Sequence, residues 1–326
     1  MQIRRATRWV KVIALAASVA IGASAAETAR AGDYPSKPVS VVVPYSAGGG
    51  TDVIFRAVSS VIQQYWGQPM LVLNKPGAGG TIGASFAAKA KPDGYTLLAA
   101  LQGPLILNPL QQKVDYALSD FVMISQLVAN PMVLVANVKS KWKDAGEMIA
   151  YAKANPGKVK LGSTGFGNLP HLMTLYLQKQ TGAQFAIIPF KGNAPARKEL
   201  LGGHIDGFIT TQFTDLKAGN LKGLAWLSEK PFPGLETIPT FPQLGYPKIV
   251  ADVWWGVAVP KGTPDAVREK LRTVLAKVVE DKTFKSMMNK MSVPIDHLDT
   301  PAFKEKVDKL AAFFPGYLKS IGMTKK

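Results

Sequence analysis

Residues 39–66 read VSVVVPYSAGGGTDVIFRAVSSVIQQYW, and this stretch decides the fold class. Its first five residues are too continuously apolar for a sheet with one wet face, so 39–43 is predicted to be a strand buried on both sides. From residue 52 the period changes. Ile54, Val58, Val61, Ile62 and Tyr65 recur three or four positions apart, which predicts a helix over 52–66 with Thr51 as cap and Gly67 as stop. Apolar runs at 70–73 and 96–100 repeat the strand signal. Strand, helix, strand in this order is the pattern of a parallel sheet.

A second set of the same kind follows a long apolar passage, 121–136, that has Pro131 in its middle. Helices are predicted at 144–155, 169–180 and 194–201, strands at 159–163, 185–190 and 205–210, a short helix near 214–218 and a closing strand at 221–227. The result is two α/β units. Five prolines between 231 and 247 predict irregular surface chain. A strand at 253–259 leads to a helix capped by Thr263 and opened by Pro264, with Val267, Leu271, Val274, Leu275 and Val278 on one face. A last helix begins near Thr300 and carries Phe303, Val307, Leu310 and Phe314.

The chain has 326 residues, 47% hydrophobic and 19% charged, which leaves room for two domains and excludes wholesale disorder or a fibre. It has no cysteine, so disulfides, thiolate metal sites, cysteine nucleophiles and a lipoprotein anchor are all excluded. Three histidines, at 171, 204 and 297, argue against a His-rich metal site, and no metal or cofactor is expected. Arg4, Arg5, Arg8 and Lys11 precede an apolar core at 12–22 and a small-residue cleavage region. Residues 1–31 therefore read as a secretory signal peptide, since the core is about half the roughly 20 residues a spanning helix needs. Removing them takes away five Lys/Arg and one Glu and lowers the formal charge from +17 to +13. An exported protein this basic favours anionic partners, and export disfavours nucleic acid. The implied location is the periplasm of a Gram-negative bacterium.

Glycine-rich loops after strands carry the candidate chemistry. The first runs Tyr45, Ser46, Ala47, Gly48, Gly49, Gly50, Thr51, Asp52; its amides can converge where a helix dipole favours an anion. A tight strand-to-helix turn is the equal alternative. The spacing is neither a dinucleotide fingerprint nor a P-loop, so phosphate chemistry is disfavoured. The second loop contains Gly79; the third strand ends in Gln102 and Gly103. In the second unit, Ser163, Thr164, Gly165, Gly167, Asn168 and His171 repeat the design with Asn168 as cap, and Lys191, Gly192 and Asn193 form a fourth loop. Ligands of open parallel sheets sit beyond the carboxyl ends of strands, so loops from facing units would line one cleft.

The runs YPSKPVSVVVPYSAGGGTDVIFR, LNKPGAGGTIGA, KPDGYTLL, GSTGFGNLPHL, PFKGNAPARKELLGGHID and WWGVAVPKGTP, in this order, resemble the Bug/TctC family of periplasmic solute-binding proteins. The likeness spans the chain from Tyr34 onward. It implies a two-domain Venus flytrap, type II-like, with a mainly parallel sheet in each lobe. Lobe 1 is expected at 32–125 plus 229–326 and lobe 2 at 126–228, with hinges near 121–132 and 221–230. It further implies a monomer that binds a small organic carboxylate and delivers it to a TctA/TctB-like inner-membrane permease. The family's two carboxylate-binding loops fall on Tyr45 to Asp52 and on Ser163 to His171. Leu73-Asn74-Lys75 departs from a frequent Val-Glu-Asn-Arg type run, which leaves ligand identity open.

Several residues carry two readings. Asp52 in a first helical turn is a dipole-stabilising residue that can orient loop amides, and Arg56 one turn later is its ion-pair partner. His171 meets either a ligand or backbone. Lys191 offsets ligand charge or is solvated. Of Trp254 and Trp255, strand alternation sends one inward and one outward, so Trp254 joins the candidate set. Two rival functions stand beside binding for transport. One is a sensor that presents the same carboxylate to a membrane signalling protein. The other is a serine hydrolase using Ser46 or Ser163 with His171, for which no nucleophile-elbow motif exists.

Overall fold

The computed structural model describes residues 34–163, 167–190, 193–211 and 213–324; the expected signal peptide lies outside them. In chain order, β1 (Val39–Val43), α1 (Gly50–Trp66), β2 (Met70–Asn74), α2 (Thr81–Ala88) and β3 (Thr96–Ala100) form the first unit. After a π-turn at Gly103–Leu107 and the short α3 (Asn108–Gln111), the chain enters β4 (Phe121–Asn137). The second unit follows: α4 (Ala145–Ala154), β5 (Lys160–Ser163), α5 (Leu169–Thr181), β6 (Ala186–Pro189), α6 (Asn193–Leu201), β7 (Gly207–Thr210), α7 (Thr214–Lys217) and β8 (Leu221–Leu227). The chain returns through β9 (Asp252–Pro260), α8 (Asp265–Glu280), α9 (Lys282–Met291), β10 (Ile295–Leu298) and α10 (Thr300–Ser320).

The strand order is β2-β1-β3-β9-β4-β7-β5-β6, with β8 and β10 also on β4. Within each unit the strands are parallel: β1 with β2 and β3, β5 with β6 and β7. The antiparallel pairs all involve β4 or β9, where the chain passes between units. The 17-residue β4 serves both. Up to Pro131, opposite Asp252, it pairs with β9; from Met132, opposite Leu227, it pairs with β8. Pro131 lacks an amide hydrogen to donate and sits where the partner changes.

The core has three parts. α1, α8 and α9 pack on one face of the first sheet half through Phe55, Val58, Leu271 and Phe284. A second cluster covers the opposite face and continues across to Met148 and Leu172 of the second half. The third lies under α6 and α7 around Trp226 and Phe232. Two expected caps are not caps. Gly49 occupies the cap position of α1, because the Thr51 hydroxyl accepts from Trp255 Nε1 at 2.9 Å. Pro264 precedes α8, and the buried Thr263 hydroxyl donates to Pro260 O at 2.8 Å. The proline-rich segment is irregular but not merely surface. Phe232, Ile238 and Phe241 are buried, and Trp226 exchanges backbone hydrogen bonds with Pro239 and Phe241. Residues 232–241 therefore pack on β8 of the second unit, where the expected boundary had placed them with the first.

Candidate ligand-binding cleft

A cleft of about 660 Å³ opens between the two sets of loops. Tyr45, Gly79, Gln102 and Gly103 line it from the first unit, Gly167 and Asn168 from the second. The walls also touch: Gln111 Nε2 donates to the Gly167 carbonyl at 3.0 Å. Six expected residues from both units thus share one cavity. Thr164, Gly165, Lys191 and Gly192 lie outside the described residues.

The first loop is organised by Asp52. Its carboxylate, buried in the first turn of α1, accepts the Gly48 amide at 2.8 Å, Arg56 Nε at 2.8 Å and Asn74 Nδ2 at 2.9 Å. The Arg56 hydrogen bond, aided by Gly48 and Asn74, pulls its pKa down to about 2 against the opposing effect of desolvation. Asn74 also donates to the Tyr45 carbonyl, so strand β2 and the start of the loop are tied together. Ser46, Ala47, Gly48 and Gly49 are exposed and do not line the cleft as it stands. The Gly48 amide is occupied by Asp52 and the Gly49 amide by Ser46 O at 3.3 Å. The donors left to this loop are therefore its helix-entry amides, Gly50, Thr51 and Asp52, which have no intrahelical acceptor.

The second loop is organised by the start of α5. Asn168 Oδ1 accepts the His171 amide at 3.0 Å, which is the expected cap. His171 is buried, and its Nδ1 accepts the Gly167 amide at 3.0 Å. Burial lowers its pKa, so it holds the loop as a neutral acceptor. Gly167 has φ +74°, and an added Cβ would collide with the Gln111 side chain. Gly79 is equally constrained, with φ +68° and Asn108 Nδ2 at 2.6 Å from where a Cβ would stand. Its carbonyl accepts from Asn108 Nδ2 at 2.7 Å.

Other expected residues stand elsewhere. Trp254 is fully buried edge-on against Phe303 and lines no part of the cleft. Alternation did send the two indoles to opposite faces, but both faces are covered by helices. The Thr51 side chain faces Trp255. Ser163 is 2% exposed at the end of β5 and does not line the cleft. Asn193 opens α6 and does not line the cleft. Gln102 lines the cleft, yet its amide is committed: Nε2 donates to Asp252 O at 2.9 Å and Oε1 accepts the Trp254 amide at 3.4 Å.

The segment after β3 also contributes, beyond the residues expected from the sequence. Leu107, Asn108, Gln111 and Gln112 all line the cleft. The last three stand at i, i+3 and i+4, a spacing that puts polar groups on one helix face and was legible. Among the described lining residues there is no Lys, Arg or His. Tyr45 is a neutral donor there, its phenol pushed up to about 12 by burial.

The family model for the tripartite tricarboxylate transporter family receptor, TctC, matches residues 54–304. The chain belongs to this family. It is a TctC-type periplasmic solute-binding protein, and the family is one of receptors, not of enzymes. BugT of Bordetella pertussis is 36% identical over 282 residues, covering 85% of this chain and 86% of that protein. A TctC solute-binding protein from Polaromonas, solved without ligand, superposes with a TM-score of 0.80 at 32% identity, over 88% of this chain and 99% of that one. An R. palustris protein solved with adipate superposes with a TM-score of 0.76 at 26% identity, over 90% of this chain and 100% of its own. Membership in the TctC family agrees with the two-lobe α/β architecture. No described helix is long and apolar enough to cross a membrane.

Proposed function

We propose that this protein captures a small organic carboxylate between its two lobes through backbone amides at the starts of α1 and α5. The single observation that carries this reading is the shared cleft: Tyr45, which leads into the α1 entry, and Gly79 line it from one unit and the Gly167-Asn168 entry to α5 from the other, with no cationic side chain among the described residues lining it. Closure would bring the α1-entry amides, which do not line it as it stands, onto the ligand. A carboxylate held this way is bound by N–H dipoles and helix ends. Each charge-assisted hydrogen bond contributes about 1.5–3 kcal/mol, so four or five suffice for the roughly 8 kcal/mol of micromolar binding after ordering costs. The adipate bound by the R. palustris relative supports a dicarboxylate among the candidates.

Lobe closure follows from the topology. The chain crosses at β4 near Pro131 and returns through the segment that enters β9 at Asp252. Bending at these two crossings would bring the exposed loop 46–49 over the ligand. The loaded, closed form is delivered to a tripartite tricarboxylate-type permease, after export directed by residues 1–31. The hydrolase alternative loses support, because Ser163 is buried and His171 Nδ1 is engaged by the Gly167 amide.

Isothermal titration of ligand-stripped protein with mono-, di- and tricarboxylates tests this. Micromolar binding of at least one acid is expected, and failure of all of them would count against the reading.

A further inference from the structure

The segment that follows α10 returns to the cleft. Gly322, Met323 and Thr324 line it alongside Gln102 and Gly167. This placement is built. α10 ends in a Schellman motif: Gly322 adopts φ +69°, its amide donates to Lys319 O at 3.2 Å, and the Met323 amide donates to Leu318 O at 2.9 Å. Met323 also packs, partly buried, against the core cluster to which Leu318 belongs. The last turns of α10 are then fastened to the helix whose entry forms the second wall. Tyr317 hydroxyl donates to Leu172 O at 2.6 Å, Lys179 Nζ donates to Ser320 Oγ at 2.7 Å, and the Tyr176 and Tyr317 rings meet edge to face. At its other end α10 is anchored to the first sheet half by Thr300 Oγ1 donating to Ile124 O at 2.6 Å and by Phe303 against Trp254.

We infer that the segment 322–324 is a wall of the ligand cleft and that Met323 sets which carboxylates fit. The inference rests on the carboxylate reading above and names a substrate class for it. Leu101, Leu107, Leu169 and Val253 line the same cleft. With Met323 they make an apolar lining for the part of the ligand beyond its carboxylate. Asn108, Gln111 and Gln112 line the cleft as well, so the class favoured is an acid whose aliphatic or aromatic body carries no hydroxyls on the side that meets Met323 and these leucines, where they would lose hydrogen bonds to water. A flexible, polarizable methionine adapts to bodies of different shape, whereas a branched side chain would not.

The chain has no cysteine, so Met323→Cys carries a single thiol. Alkylation of that thiol is measured with and without a saturating acid whose binding calorimetry establishes on the same sample, and Leu71→Cys, on exposed β2, is the reference. The expected result is at least fivefold protection at position 323 and less than twofold at 71. In addition, Met323→Trp is expected to weaken acids of six or more carbons at least tenfold relative to acids of three or four. Equal alkylation rates with acid bound, or unchanged affinity ratios in a folded Met323→Trp protein, would overturn the inference while leaving the carboxylate reading intact. If Met323→Trp does not fold, thiol protection decides alone. If no acid binds the parent, the carboxylate reading fails and this inference falls with it.

Discussion

At Asp52 one carboxylate does three local jobs: it accepts a loop amide, fixes Asn74 and pairs with Arg56. Asp52→Asn cannot accept all three donors equally. The expected loss is about 1–2 kcal/mol of stability, the cost of rearranging the hydrogen bonds of the buried Asp52 side chain while water takes over the exposed Gly48 amide and Arg56, together with weaker carboxylate binding as the loop loosens; thermal denaturation and calorimetry check both. The pH dependence has a definite sign. The folded pKa of about 2 lies below the unfolded value near 4, so the stabilisation is complete above about pH 4 and is lost as pH falls through about 2. The Asp52→Asn protein should therefore show a flatter decline in melting temperature between pH 4 and pH 2 than the parent. His171 acts in the same sense at higher pH. Its folded pKa is depressed by burial, so acidification below the unfolded value of about 6.5 favours the unfolded chain. Protonation at Nδ1 would also deprive the Gly167 amide of its acceptor.

Among the elements, the strand-to-helix loops depend on glycines whose roles differ. Gly167→Ala forces an L-residue into φ +74° and drives a methyl into Gln111, so it is expected to destabilise the protein by at least 1 kcal/mol and weaken ligand binding. Gly316, exposed within α10 and with nothing near its absent Cβ, gives the opposite outcome: Gly316→Ala is expected to raise stability by up to about 1 kcal/mol. Comparing the two melting temperatures checks this pair. Most elements were legible because each buries a face with a clear period, as α1 does. Where the reading fell short, the causes can be named. α9 was passed over although Phe284, Met287, Met288 and Met291 recur at i, i+3, i+4 and i+7 and pack on the core; its start rests on the Asp281 side chain accepting from Thr283 and Phe284. The caps failed at Thr51 because a distant partner, Trp255, took the hydroxyl, and at Thr263 because the local Pro260 carbonyl did. At Trp254, strand alternation gives the side a ring points to, but not whether a helix covers that side.

Over the whole molecule, function depends on what the two units do together. Both loop systems were visible as sequence, yet that Tyr45 and Gly79 of one unit and Gly167 and Asn168 of the other share one cavity depends on β4 and β9 carrying the chain across between units, which no local pattern states. Gln111 bridges the walls directly, so Gln111→Ala is expected to favour a more open form, seen by small-angle scattering as a larger radius of gyration without ligand. In the parent, a bound acid should shrink that radius. The central claim, that main-chain amides from facing loops hold the carboxylate, is tested most directly by amide NMR of ¹⁵N-labelled protein titrated with an acid that binds. The largest downfield proton shifts are expected at Gly50, Thr51 and Asp52 on one side and in the segment leading to Asn168 on the other. Saturable binding that leaves those amides in place and moves resonances elsewhere would contradict it.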